Sequence, residues 1–200
     1  MMTLTLSAIA YLIGSISFAV IASRLFGLPD PRSYGSGNPG ATNVLRTGKK
    51  TAAMLTLVGD STKGWLAVAI ASRFAETSAT ELAMAYAGAA VIIGHMYPIF
   101  FRFQGGKGVS TALGVLFAFN LFLAAATLAT WLIVVFFFRI SSLAALVAAL
   151  FAPFFAALLY NPQHPLFVAV ATISLLLIWR HRINIRNLVA GTEGRIKKSV

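Results

Sequence analysis

The sequence has no cysteine among its 200 residues and few charged residues of either sign. The missing thiols exclude disulfides, thiolate metal sites and cysteine nucleophiles. Only 10% of the residues are charged and 58% are hydrophobic, whereas soluble domains carry roughly 25% charged residues. Acidic residues are the scarcest, with five against 16 Lys and Arg, for a net charge of +11. An ordinary water-soluble domain is therefore not expected.

Several catalytic motifs are also missing. There is no Gly-x-Ser-x-Gly turn, no evident Ser–His–acid set and no group of His, Asp and Glu at metal-ligand spacing. The Gly-Gly-Lys-Gly run at 105–108 is not an NTPase phosphate loop, because Phe101 stands at the first glycine position and Gly108 follows Lys107. We expect no metal and no cofactor.

Long apolar runs fill most of the chain. They lie at about 4–26, 52–74, 80–101, 111–138, 141–160 and 164–181. Runs of this length cross a bilayer, so the sequence predicts an integral membrane protein. The first run lacks a basic start and a convincing cleavage site, so we interpret it as a helix and not as a signal peptide. The basic residues lie between apolar segments, which favours an anionic membrane surface or substrate over nucleic acid.

The positions of the charges argue against six simple crossings. With the loop 27–50 in the cytoplasm, six crossings would leave Arg139 and the basic tail outside, against the positive-inside tendency. The tail charges are Arg182, Arg186, Arg195, Lys197 and Lys198.

The run 111–138 resolves this conflict. Its 28 residues would form about 42 Å of helix, against a hydrocarbon core of roughly 30 Å. A turn near Asn120 would divide it into two short helices. We therefore predict an all-α bundle of seven transmembrane helices, with the N-terminus outside, the C-terminus in the cytoplasm and one membrane-embedded domain over residues 1–200.

Three polar stretches on the predicted cytoplasmic side are candidates for the site. In 34–46, three glycines, hydroxyls, Asn and Arg within a dozen residues suggest a phosphate-binding loop, although each glycine alone is typical of a turn. In 102–111, Lys107 lies in a glycine-rich loop and can bind an anion, although Arg102 and Lys107 also suit topology markers. In 180–193, His181 and Asn184 would share one face of a continuing helix that ends near Glu193, although the arginines there suit a juxtamembrane collar.

Other polar residues have structural interpretations that we favour. Asp60 and Lys63 form an i,i+3 pair at membrane depth, which favours a role in holding the bundle over a role in the site. His95 is expected to pack between helices. Ser141 and Ser142 follow Arg139, where serines usually cap a helix.

These stretches together resemble the bacterial membrane acyl-phosphate:glycerol-3-phosphate acyltransferases, the PlsY family. The likeness rests on Gly-Ser-Gly-Asn-Pro-Gly-Ala-Thr-Asn-Val-Leu-Arg (35–46), Asp-Ser-Thr-Lys-Gly (60–64), Gly-His-Met-Tyr-Pro (94–98), Gly-Gly-Lys-Gly-Val-Ser-Thr (105–111), Arg-His-Arg-Ile-Asn-Ile-Arg-Asn-Leu (180–188) and Gly-Thr-Glu (191–193). The motifs run from the first loop to the tail, so the resemblance covers nearly the whole chain.

The resemblance implies transfer of a fatty acyl group from acyl phosphate to the 1-hydroxyl of glycerol 3-phosphate, giving lysophosphatidic acid and phosphate. It implies a seven-helix fold in the bacterial cytoplasmic (inner) membrane, in contact with membrane lipids and with its site facing the cytoplasm. We expect a monomer. Matched by motif, the implied catalytic residues are Lys107, Arg46, His181 and Asn184. The implied substrate- and phosphate-binding residues are Ser36, Gly37, Asn38, Thr42, Asn43, Gly106, Ser142 and Glu193, with Ser141 the alternative to Ser142.

The chemistry of such a reaction leaves two mechanisms open. Acyl phosphate is a mixed anhydride with a good leaving group, so the enzyme mainly aligns two anions and reduces their repulsion. A phosphate oxygen of a substrate could accept the hydroxyl proton, or His181 could act as the base. An anion transporter is the alternative function, but the polar residues gather on one side and no inverted repeat is visible. A membrane scaffold would leave the glycine-rich stretches unexplained.

Overall fold

The computed structural model describes residues 1–196, and Lys197 and Lys198 of the predicted basic tail lie outside the described residues. Over these 196 residues the chain is helical, without a strand. The helices are α1 (Met2–Gly14), α2 (Phe18–Leu25), α3 (Ala41–Leu45), α4 (Lys50–Phe74), α5 (Thr80–Met96), α6 (Val109–Phe119), α7 (Leu121–Phe138), α8 (Ser141–Ala157), α9 (Pro165–Arg180) and α10 (Arg182–Val189), with 3₁₀ turns at Thr77–Ala79 and Ile99–Phe101.

Several helices are long and apolar enough to cross a membrane. Three segments meet this test, namely Met2–Leu25, Thr77–Phe101 and Leu121–Phe138, and α9 with α10 would make a fourth. Helices α6 and α8 are apolar but shorter. On α7, Phe136 and Phe137 are 78% and 72% exposed, as expected of side chains that face lipid and not water. The prediction of an all-helical membrane protein agrees with these features.

Two breaks and one bend divide the predicted runs. The break at Asn120 is present as predicted, since its side-chain oxygen accepts hydrogen bonds from the N–H groups of Phe122 and Leu123 and caps α7. A second break, at Ser15–Ser17 between α1 and α2, was not predicted. The expectation of a continuing helix at His181 was wrong, because α9 and α10 meet there at an angle of 58°.

Glycines allow the central helices to pack backbone against backbone. A side chain at Gly64 of α4 would meet the carbonyl of Thr111 on α6, and one at Gly114 of α6 would meet the carbonyl of Ser61 on α4. Small residues at crossings are typical of helix packing in membranes, where close backbone contact replaces hydrophobic association. Helix α6 is therefore held tightly against α4.

A buried ion pair lies inside this bundle. Lys63 Nζ lies 2.8 Å from Asp60 Oδ1, with both side chains under 5% exposed. The same ammonium donates to the carbonyl of Ile16, in the break between α1 and α2, at 2.6 Å. The predicted pairing of Asp60 with Lys63 is thus confirmed, and it fastens α4 to the broken first segment.

Candidate active site

Five chain segments meet at one end of the bundle and bring most of the predicted residues together. The loop before α3 touches the α5–α6 loop, where the carbonyl of Pro39 faces Gly106. The α5–α6 loop is bonded in turn to Arg180 at the end of α9. The tail after α10 returns to the α7–α8 junction, because the N–H of Ile196 donates to the carbonyl of Arg139 at 2.7 Å.

The first loop owes its shape to Asn43. Both N–H bonds of its buried amide are used, one to the carbonyl of Pro31 at 2.7 Å and one to that of Tyr34 at 3.1 Å. Its amide oxygen accepts the N–H of Ser36 at 3.0 Å. Asn43 was predicted as a donor to phosphate, but it has no N–H left to give and instead fixes the loop backbone.

The other predicted residues of this loop are open to a ligand. Ser36, Gly37, Thr42 and Arg46 are exposed and Asn38 is half-buried. Gly37 has a φ of +66°, which favours glycine. Arg46 follows α3, and its guanidinium approaches the tail near Gly194.

The α5–α6 loop carries Lys107 and is held by Arg180. The Arg180 guanidinium donates to the carbonyl of Gly105 at 2.9 Å and to that of Gly106 at 3.1 and 3.2 Å. The sequence predicts a juxtamembrane basic collar for Arg180, because nothing in the local sequence reveals that backbone carbonyls of a distant loop are its partners. Gly106 is buried, whereas Lys107 is half-buried.

Lys107 is a partly buried cation that lies close to other positive charges. Burial lowers the pKa of its ammonium, the charge of Glu193 opposes this, and the charges of Arg180 and Arg46 lower it further. The pKa of Lys107 lies below its usual value as a result. Three cations gathered in this way favour a polyanionic ligand, which would offset their mutual repulsion.

A hydrogen-bonded group of uncharged donors surrounds Glu193 next to these cations. Its Oε1 accepts from Ser142 Oγ at 2.7 Å and from Asn184 Nδ2 at 2.6 Å. Partial burial would raise the pKa of Glu193, but the hydrogen bonds from Ser142, Asn184 and Asn187 and the charge of Lys107 outweigh it, so the pKa lies below its usual value. Ser142, not Ser141, points into this group. Glu193 therefore organises the donors around it as an ionised carboxylate.

His181 lies at the bend between α9 and α10 and is 3% exposed. Its Nδ1 is 2.7 Å from the carbonyl of Leu177. A carbonyl only accepts, so Nδ1 carries the proton and the Nε2 of the neutral ring keeps a lone pair. The charged groups of Lys107, Glu193 and Arg180 lie close to this imidazole ring.

A cavity of about 310 Å³ opens at this end of the bundle, and of the predicted site residues Gly37 lines it. Its lining comes from the first loop, the α5–α6 loop and the end of α9: Arg32, Gly37, Pro39, Phe103, Gln104, Gly105 and Arg180. Within residues 1–196, no three His, Asp or Glu side chains lie together in a way that could hold a metal ion.

The chain is similar to known proteins over nearly its whole length. The family model described as glycerol-3-phosphate acyltransferase matches residues 4–191. The glycerol-3-phosphate acyltransferase of Burkholderia multivorans is 60% identical over 197 residues, which cover 98% of this chain and 92% of that protein. The enzyme of the same name from Burkholderia pseudomallei strain K96243 is also 60% identical, with 98% and 96% covered.

Solved structures match over the same length. The crystal structure of PlsY, an integral membrane glycerol 3-phosphate acyltransferase, in its glycerol 3-phosphate form has a TM-score of 0.90 at 38% identity, covering 98% of this chain and 96% of that chain. Its lysophosphatidic acid form has a TM-score of 0.86 and covers 98% and 95%. The resemblance drawn from the motifs is thereby confirmed.

Proposed function

The chain belongs to the glycerol-3-phosphate acyltransferase family, and we propose that it takes the acyl group from acyl phosphate and transfers it to the 1-hydroxyl of glycerol 3-phosphate. The products are lysophosphatidic acid and inorganic phosphate. Acylation of glycerol 3-phosphate follows from the family. The use of acyl phosphate as the donor is our proposal for this chain.

The observation that carries the proposal is that two cationic side chains lie next to a group of uncharged polar side chains held by Glu193. Lys107 and Arg46 supply positive charge on one side, and Ser142, His181 and Asn184 supply uncharged polar groups on the other. Two phosphate-bearing substrates need both kinds of group. The positive charges reduce the repulsion between the two substrates, and the uncharged groups bring the hydroxyl to the carbonyl carbon.

We assign the cationic side to phosphate and the neutral side to the glycerol moiety. Ser36, Gly37, Asn38 and Thr42 border the phosphate, with Gly106 giving the backbone room beside Lys107. Glu193 acts on Ser142 and Asn184 and does not contact phosphate, since two anions repel each other. Asn43 acts indirectly, because it fixes the backbone of the first loop.

The transfer then needs no dedicated protein base. The 1-hydroxyl oxygen attacks the acyl carbonyl carbon, the bond from that carbon to the phosphate oxygen breaks, and phosphate leaves with the electron pair. The hydroxyl proton passes to a phosphate oxygen. Lys107 and Arg46 stabilise the negative charge that grows on the leaving phosphate.

His181 orients the substrate hydroxyl in this mechanism. The partner of its Nδ1 is a neutral carbonyl and not a carboxylate, so the site offers it little stabilisation as an imidazolium. We expect His181→Ala to raise the KM for glycerol 3-phosphate by about tenfold and to recover most of kcat at saturation. A chemical step abolished at every substrate concentration would favour His181 as the base.

A donor comparison tests the function directly. Purified protein in detergent is given labelled glycerol 3-phosphate with palmitoyl phosphate, palmitoyl-CoA or acyl-carrier protein, each separately. We expect lysophosphatidic acid from acyl phosphate alone. Product from the CoA donor would refute the donor assignment, and no product from folded protein would favour an anion transporter, which needs a sealed compartment.

The site is proposed to face the cytoplasm from the bacterial inner membrane, in a monomer of one domain that crosses seven times. Helices α4 to α9 and the broken α1–α2 segment would form the crossings. The loops that carry Arg46, Lys107 and Arg139 supply the positive charge expected on the cytoplasmic side.

A further inference from the structure

A buried polar cluster lies directly under the loop that carries Lys107. It consists of Asp60 and Lys63 on α4, His95 on α5 and Thr111 on α6, all under 10% exposed. His95 Nδ1 lies 3.1 Å from Thr111 Oγ1 and 3.7 Å from Asp60 Oδ1. The cluster therefore joins three helices in the interior of the bundle.

The buried charges of Asp60 and Lys63 cost folding free energy, because both side chains are removed from water. A buried ion pair in a protein is often no better for stability than apolar side chains of similar volume, and intramembrane charges are rare unless they serve a function. Lys63 also donates to Ile16 at the α1–α2 break, so the pair fixes one arrangement of the surrounding elements.

The cluster closes the base of the α5–α6 loop. His95 is the second-last residue of α5 and Thr111 is in the first turn of α6, so their contact joins the two ends of the loop. The N–H of Gly106 donates to the carbonyl of His95 at 3.1 Å. The residue that follows Gly106 is Lys107, so a shift of His95 would be transmitted to Lys107 through one peptide unit.

Gly106 also marks the point where His95 meets the first loop. A Cβ atom at this position would overlap His95 Nε2 and would lie 3.0 Å from the carbonyl of Pro39. The imidazole is therefore packed under the loop backbone with no spare space. Tight packing of this kind transmits small displacements and does not absorb them.

We propose that Asp60, His95 and Thr111 are positioning residues that hold the α5–α6 loop where Lys107 meets the substrate phosphate. Asp60 and Thr111 orient the His95 ring, and His95 supports Gly106 from below while Arg180 holds the same loop from the end of α9. The inference rests on the proposed role of Lys107 as a phosphate-binding residue.

Two matched threonines allow a clean test. Thr111 and Thr56 are both fully buried, but the hydroxyl of Thr56 only bonds to the carbonyl of Ala52 within α4. We expect Thr111→Val to raise the KM for acyl phosphate and the inhibition constant of inorganic phosphate by roughly five- to tenfold, the range of one lost hydrogen bond. Thr56→Val should leave both constants unchanged, and Thr111→Ser should restore them.

A double-mutant cycle with Lys107→Ala separates positioning from general stability. If Thr111 acts through Lys107, Thr111→Val adds little in the Lys107→Ala background. If Thr111→Val raised both constants equally in the two backgrounds, or if Thr56→Val raised them as much as Thr111→Val, the positioning role would be refuted. The phosphate-binding role of Lys107 would be unaffected. Lys107→Ala with unchanged constants for acyl phosphate and inorganic phosphate would overturn the phosphate role of Lys107, and the inference with it.

His95→Gln provides a second route should Thr111→Val fail to fold. The glutamine keeps a polar side chain at this position but removes the ring beneath Gly106. We expect the same rise in both constants, again absent in the Lys107→Ala background. Constants equal to those of the unaltered protein would overturn the inference.

Discussion

At the scale of single residues, Lys107 links protonation to substrate binding. Burial and the neighbouring arginines lower the pKa of its ammonium, so in the free enzyme the charge is lost at a lower pH than in an exposed lysine. A bound phosphate raises the pKa of Lys107 again, because an adjacent anion stabilises the ammonium. The pH dependence of substrate capture therefore reports on this one side chain.

We predict an alkaline fall in kcat/KM for acyl phosphate that begins below the usual lysine pKa of about 10.4. Lys107→Arg should move the fall to higher pH, because a guanidinium keeps its charge throughout this range. Initial rates across the alkaline range measure both, and exposed Lys49→Arg is the matched control. An alkaline fall that stays in place in Lys107→Arg would assign the titration to another group.

Glu193 provides a second prediction at this scale. Removal of its carboxylate in Glu193→Ala frees Ser142 and Asn184, whose hydrogen bonds to it measure 2.7 and 2.6 Å. We expect the KM for glycerol 3-phosphate to rise about tenfold, while the KM for acyl phosphate changes less than twofold. Glu76→Ala, an exposed acid in the α4–α5 connection, should change neither. Equal increases for both substrates would contradict a role confined to the glycerol side.

The sequence predicted which residues gather at the site better than it predicted what each one does. Glycine-rich motifs and the scarcity of acids pointed to Lys107, Arg46 and Glu193. Asn43 and Arg180 escaped correct interpretation because their partners are backbone groups. A motif specifies side-chain types, and the position of a distant carbonyl depends on the folded loops.

At the scale of helices, hydropathy located the apolar runs but not all their breaks. The turn at Asn120 was predictable because 28 residues are too long for one crossing and because Asn is a good cap. The break at Ser15–Ser17 has no such signal. There the free carbonyl of Ile16 is satisfied by Lys63 of another helix, a tertiary contact that a local pattern does not contain.

Asn120 itself is open to a stability test. Asn120→Ala removes the acceptor for two N–H groups at the start of α7, and we expect a loss of about 1 kcal/mol in the free energy of unfolding. Asn120→Ser retains a capping oxygen and should recover most of it. Thermal unfolding in detergent measures the change, and the KM values should stay constant. A loss that serine does not recover would show that the cap is not its cause.

At the scale of the whole molecule, contacts between loops bear on how often the chain crosses the membrane. Arg180 bonds to the α5–α6 loop, and the tail bonds to the α7–α8 junction. These four segments therefore lie at one end of the bundle. Since α6 and α7 together leave that end and return to it, we propose that they are two passes, in line with the proposed seven crossings.

Labelling with a membrane-impermeant maleimide distinguishes seven crossings from six, and the natural lack of cysteine means that no background thiol interferes. Single cysteines are introduced at the exposed positions Ser78, Gln163 and Arg195, each in a variant checked for activity. With seven crossings, Ser78→Cys and Gln163→Cys react in intact spheroplasts, whereas Arg195→Cys reacts only after the membrane is opened. With six crossings, in which 111–138 is one span, Ser78→Cys would still react in intact spheroplasts. Arg195→Cys would then react there too, whereas Gln163→Cys would react only after the membrane is opened. That exchange would place the tail with Glu193 on the opposite side from Lys107, so it would refute both the topology and the composition of the proposed site.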